Sequence, residues 1–170
     1  MFARILTDDR LGTGILQHVG HEENVQTIMK HRTHTSGSDG LLVGAKPHPR
    51  AWGTFPRYLG HYSRDLGLLS VEDMVHHLTG RPAARLKLRN RGLIREGFAA
   101  DVVLFDPETI RDEATFDNTR QAASGIHYVF VNGTAAIDGG RPTGARSGRA
   151  LRRHRDGLTR EAGFNREGKQ

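Results

Sequence analysis

Gly37-Ser38-Asp39-Gly40 and, further along, His48-Pro49-Arg50-Ala51-Trp52-Gly53-Thr54-Phe55-Pro56-Arg57-Tyr58-Leu59-Gly60 decide how this chain reads. The first stretch sets one carboxylate between glycines. It follows His31 to Ser36, whose polar and β-branched residues predict a short strand. Asp39 then falls at a strand's C-terminal end, where a βα scaffold presents side chains to a ligand; taken alone, it reads first as a turn cap. The second stretch lies in a segment, residues 41 to 59, that contains Gly44, Pro47, Pro49, Gly53 and Pro56. Such breakers predict an extended loop with fixed bends and no regular helix. Dense in large side chains, this loop reads as a working surface rather than a plain connector. Arg50 offers a planar fork suited to a substrate carboxylate or to a surface ion pair. Trp52, Phe55 and Tyr58 either line a pocket or pack the loop down.

Upstream, Gly14 to Val19 reads as a short strand, and Glu22 to Lys30 as a helix with Val25, Ile28 and Met29 on one face. Downstream, Ser70-Val71-Glu72-Asp73 matches a capping box, and Val71, Met74, Val75 and Leu78 continue on one helical face. Gly80 and Pro82 end that helix, and Ala83 to Leu86 suggest a further helical turn. Beyond Arg91 the period changes. Asp101 to Pro107 is an apolar β-rich run, and Ile126 to Val131 leads through Asn132-Gly133 into Thr134 to Ile137. Asn-Gly between two such runs predicts a hairpin, because both residues accept positive φ.

The chain has 170 residues, enough for one domain and a small second one. Hydrophobic residues make up 36%, and no apolar run approaches the ~18 residues of a membrane-spanning helix. Met1 to Asp9 show no secretory pattern, so the cytoplasm is the expected compartment. The formal charge of +6 sits entirely in Arg141 to Gln170, where nine Lys/Arg face three Asp/Glu. Without interleaved aromatics, this basic end reads as a disordered tail from residue 149 rather than a nucleic-acid binder.

With no cysteine, any metal must rely on His and carboxylate. His18 and His21 are three apart, as are His31 and His34, but two ligands do not complete a tetrahedral site and no His-Glu-x-x-His occurs. These histidines, and the adjacent His76 and His77, read as surface or satisfied side chains.

Taken in order, Glu22-Glu23-Asn24-Val25, Gly37-Ser38-Asp39-Gly40 and His48 to Gly60 resemble the C-terminal part of the D-aminoacylases, N-acyl-D-amino-acid deacylases of the metal-dependent amidohydrolase superfamily. Arg91-Gly92-Leu93-Ile94-Arg95-Glu96-Gly97 through Asp106 resembles that superfamily's return into a small β domain, and Val131-Asn132-Gly133 and Thr143 to Arg149 fit the family's ending.

The resemblance implies an α/β plus β fold: the C-terminal portion of a (β/α)₈ barrel, its last two strands, followed by part of a small β-sandwich. Residues 1–90 would end the barrel and carry the active-site loop, 91–148 would form the partial sandwich, and 149–170 the tail. Gly14 to Val19 would be the seventh barrel strand and His31 to Asp39 the eighth. The implied chemistry is zinc-assisted hydrolysis of an N-acyl-D-amino acid to a carboxylate and a D-amino acid, with Asp39 as catalytic base then acid and as a metal ligand. Arg50 would hold the substrate's α-carboxylate, with His48 and Gln17 also in the substrate site.

The family's His-x-His pair, its other zinc ligands and its first six barrel strands are not in this sequence. The expectation is therefore a C-terminal piece of such an enzyme, from a truncated or misassigned reading frame, inactive alone and prone to self-association through exposed edges. The small-molecule substrate is the expected partner, with no membrane or nucleic acid. The alternatives are a hydantoinase-like cyclic-amide hydrolase and a non-catalytic interaction module.

Overall fold

The computed structural model describes residues 1–10, 12, 19–153 and the backbone of 159–161. The chain divides into two compact units, Met1–His31 and Arg32–Gln170. The first holds helices α1 (Phe2–Asp8) and α2 (Glu22–Met29). Helix α2 begins with Glu22 and Glu23, which favour the positive end of the helix dipole, and its Met29 is buried. The strand expected over Gly14 to Val19 lies outside the described residues except for Val19, which has no regular structure.

The second unit opens on an extended segment. The strand expected over His31 to Ser36 does not form: residues 34 to 43 carry no ladder. A strand exists only through inter-strand hydrogen bonds, and among the described residues nothing pairs with this segment. Its side chains nonetheless alternate. His34, Ser36, Ser38 and Gly40 are half-buried, while Thr35, Gly37 and Asp39 are exposed, the period of two of an extended chain covered on one side.

Residues 41 to 49 carry no helix or strand, as the breakers predict, but residues 50 to 59 correct the expectation of a loop. Helix α3 (Arg50–Arg57) continues without a break into a wide π-helical stretch, Tyr58–Asp65. Pro49 precedes the first turn, where no backbone N–H is needed. Pro56 lies inside α3, where it withholds a backbone donor, and the chain widens into i→i+5 spacing directly after it. The glycines are packing residues. A Cβ on Gly53 would meet the Asp112 Cβ at 2.9 Å, and one on Gly60 would meet the Ile110 carbonyl oxygen at 2.4 Å. Residues read as breakers let a helix lie directly on the 110–112 segment.

Helix α4 (Val71–Leu78) starts as expected, with Ser70 Oγ accepting the Asp73 backbone N–H at 3.1 Å. Helix α5 (Gly80–Arg85) follows at once. The antiparallel sheet then runs in the order β1-β2-β3-β4: β1 (Val102–Phe105), β2 (Ile126–Val131), β3 (Thr134–Asp138) and β4 (Arg141–Pro142). The β2–β3 hairpin turns at Asn132 (φ +49°) and Gly133 (φ +78°), the left-handed pair the dipeptide predicts. The expectation of disorder from residue 149 is corrected over two short stretches of the basic end, where β5 (Leu151–Arg153) pairs antiparallel with β6 (Thr159–Glu161) and satisfies backbone groups locally.

Leu59, Tyr62, Met74, Ala83 and Ile110 form the buried core of the second unit. Beside it lies an apolar cavity of about 640 Å³ lined by Phe55, Leu59, Val75, Leu78, Leu93 and Val102, among others. Arg64 ties the π-helical stretch to the strand-side loop by donating to the carbonyls of Ile110 (2.8 Å), Glu108 (3.1 Å) and Pro107 (3.4 Å). Among the described residues, no helix is long and apolar enough to cross a membrane.

Candidate active site

Asp39 ends the extended segment in a left-handed conformation, φ +46°, which Asp tolerates better than most residues. Gly40 follows because the chain there runs against α3: a Cβ would stand 2.8 Å from Ala51 Cα. That close approach brings the carboxylate to the first residue of the helix, and Asp39 Oδ2 lies 2.9 Å from Arg50 Nη2. The Asp39 side chain is 86% exposed and that of Arg50 39%, so both charged ends remain open to a small molecule.

His48 acts locally. Its Nδ1 accepts the backbone N–H of Arg50 at 3.0 Å, satisfying a donor in the first turn of α3, and its ring meets Phe116 edge-on at 5.1 Å. Arg50 is thereby fixed from two directions, its backbone by His48 and its guanidinium by Asp39. Its Nε is buried with no hydrogen-bond partner among the described residues, and Ser36 Oγ is in the same condition. Of the three aromatics, Phe55 lines the apolar cavity, Trp52 lies 5.3 Å beneath the Arg120 guanidinium, and Tyr58 stands 6.0 Å from the His34 ring. Gln17 lies outside the described residues.

A family model matches residues 1–137, and it describes the amidohydrolase family. The chain belongs to that family. It is 46% identical over 140 residues to the D-aminoacylase of Alcaligenes xylosoxydans xylosoxydans, covering 82% of this chain and 29% of that protein. It superposes with TM-score 0.71 and 49% identity on a D-aminoacylase whose binuclear metal centre, with one-metal activation and second-metal attenuation, has been studied; 74% of this chain and 26% of that one are covered. The N-acyl-D-glutamate deacylase of Bordetella bronchiseptica, solved with zinc and a phosphonate mimic of the tetrahedral intermediate, gives TM-score 0.67 at 42% identity, covering 72% and 27%. The chain thus spans under a third of the length of these relatives.

The described residues of this chain do not by themselves fit a metal centre. Among the described residues, no three His, Asp or Glu side chains are placed to hold an ion, and Asp39 stands as one carboxylate engaged by a cation. It can supply a single donor group to a centre whose other ligands come from elsewhere.

Missing from the residues singled out by sequence is a contact behind the extended segment. His34 Nδ1 lies 3.2 Å from His77 Nδ1, and His77 is buried. The available signal was helical spacing: His77 follows Met74 by three on the stripe that carries Leu78, a position for a covered rather than a surface side chain.

Proposed function

We propose that this chain supplies the C-terminal part of an enzyme hydrolysing the amide of N-acyl-D-amino acids, with Asp39 moving the proton and Arg50 holding the substrate's α-carboxylate. The observation that carries this reading is the 2.9 Å pairing of a widely exposed carboxylate with an accessible guanidinium at the end of an extended segment. In the cleavage, water adds to the acyl carbon as its proton passes to Asp39. The C–N bond then breaks as that proton passes to the departing nitrogen. Arg50 orients the substrate through paired hydrogen bonds to its carboxylate, while His48 holds the backbone of Arg50. Gln17 is assigned to the edge of the acyl pocket by the family resemblance. Zinc is proposed for the complete enzyme, with Asp39 at most one of its ligands.

The finer architecture belongs to the same proposal: the extended segment 34–40 as the last strand of a barrel completed by further polypeptide, residues 91–148 as part of a small β domain, and 149–170 as a tail. Strand β1, the edge of the sheet among the described residues, supplies a flank through which copies associate. The compartment proposed is the cytoplasm.

The test is a chimera in which residues 1–137 replace the matching segment of a D-aminoacylase. It is assayed on N-acyl-D-amino acids, their L-enantiomers and hydantoins, with and without Asp39→Asn. D-selective deacylation that the substitution removes supports the reading. Hydantoin opening in its place, or deacylation unaffected by Asp39→Asn, overturns it.

A further inference from the structure

His34 leaves the extended segment on its covered side and meets His77, on α4, with the two rings inclined at 44° and their centroids 5.4 Å apart. Two Nδ1 atoms 3.2 Å apart are a hydrogen bond only if one ring carries the proton and the other offers its lone pair. With N–H on both, two donors would oppose each other. The surroundings favour the neutral pair. His77 is 4% exposed, and Arg81 on α5 donates to the His34 carbonyl at 3.2 Å, which places a fixed cation beside both rings. Tyr58 of the π-helical stretch faces His34. From α4, His76 adds a further positive influence on His77 and Asp73 a weaker negative one. Burial first, then Arg81, holds each imidazole below the ordinary histidine value.

We infer that His34 and His77 form a proton-sensitive latch that positions Asp39: their shared proton fastens the covered side of residues 34–40 to α4, and protonation of both rings unfastens it. A first added proton goes to the far nitrogen of the donor ring and leaves Nδ1–H···Nδ1 intact, strengthened by charge. The second converts the acceptor nitrogen to N–H and breaks the contact. Ser36, Ser38 and Gly40 lie on the same side of the segment as His34, so release there reaches the turn that aims Asp39 at Arg50. His34 and His77 are positioning residues. The catalytic meaning of the latch rests on the proposed deacylase reading, but the latch itself does not.

The experiment is a pH titration of the full chain by NMR, following the histidine ring nitrogens and the Asp39 and Gly40 amides from about pH 7.5 to about pH 5, the span in which imidazoles titrate. At the upper end one ring of the pair is expected Nδ1-protonated and the other Nε2-protonated. Both should titrate below the ordinary histidine value, and the Gly40 amide should move with the later step. In His77→Phe, which keeps a ring but no nitrogen, the Gly40 response should be lost while the amides of the 126–138 hairpin stay in place. His34→Gln, at the more exposed partner, provides the same comparison if His77→Phe does not fold. Independent titration of the two rings at the ordinary value, or an unchanged Gly40 response in the variants, overturns the latch. A latch that behaves as described in a chimera whose turnover ignores Asp39→Asn would leave the latch standing and remove the deacylase reading.

Discussion

The carboxylate of Asp39 and the guanidinium of Arg50 meet at 2.9 Å because Gly40 lets the backbone pass within Cβ reach of Ala51. The ion pair is a product of chain packing at a turn, and it is too exposed to be an anchor of the fold. An exposed pair of this kind contributes about 0–1 kcal/mol.

Replacing Asp39 by Asn separates chemistry from stability. In the chimeric deacylase, turnover should fall by about 10²–10⁴, the range of a lost general base. The urea midpoint of the isolated chain should move by less than about 1 kcal/mol in equivalent stability. Parallel kinetics and denaturation check both, and a large stability loss would mark Asp39 as structural.

Arg50→Lys keeps the charge and removes the fork. Its effect should fall on KM, raised by about 10-fold or more for N-acyl-D-amino acids, because a single ammonium replaces two aligned donors. Substrates whose α-carboxylate is capped as an amide should be turned over poorly by both forms and show little difference between them.

Gly60→Ala places a methyl 2.4 Å from a backbone carbonyl oxygen that cannot swing aside. A loss of about 2–3 kcal/mol or more is expected, at the upper end of overpacking costs. Gly37→Ala, at a position with nothing within 4 Å, should cost far less. Urea denaturation of the two variants gives the contrast.

The pH dependence of stability has a definite sign. His34 and His77 are held below the ordinary histidine value by burial and Arg81, so near pH 6 the unfolded chain binds more protons than the folded one. Their contribution is present above the unfolded value of about 6.5 and is lost as pH falls through the folded values. Asp106, lowered by hydrogen bonds from Glu108 and Thr109, and Glu113, lowered by Ser124 and Arg111, act in the more acid carboxylate range. Urea midpoints should therefore fall between about pH 7 and pH 5, with a slope that His77→Phe reduces.

Ser70→Ala removes the oxygen that accepts the Asp73 backbone N–H and should cost about 1 kcal/mol, read as a lower thermal midpoint.

What could be read from sequence was whatever a few adjacent residues decide. Asn132-Gly133 and Ser70 to Asp73 carry their conformations in their own chemistry, and both turn and cap stand as expected. Helix α3 is illegible because Gly53 and Pro56 look like breakers, and the close packing that Gly53 serves is against Asp112, about sixty residues away along the chain. The strand at His31 to Ser36 failed for the complementary reason: its residue types favour extension, which it keeps, but a ladder also requires a neighbour. Asp39 and Arg50 were both singled out, yet their contact depends on the close approach at Gly40. The contact of His34 with His77 spans 43 positions: spacing along α4 marks His77 as covered, but nothing local names His34 as its cover.

Gly60 seated on the Ile110 carbonyl, with Arg64 gathering three carbonyls of the same loop, has a mechanical consequence. Within the second unit, α3 and the π-helical stretch are sewn to the 107–112 segment along one seam, so they are expected to melt together with it in a single transition. A protease nick in the Lys87–Arg91 turn would sever the chain without parting the halves.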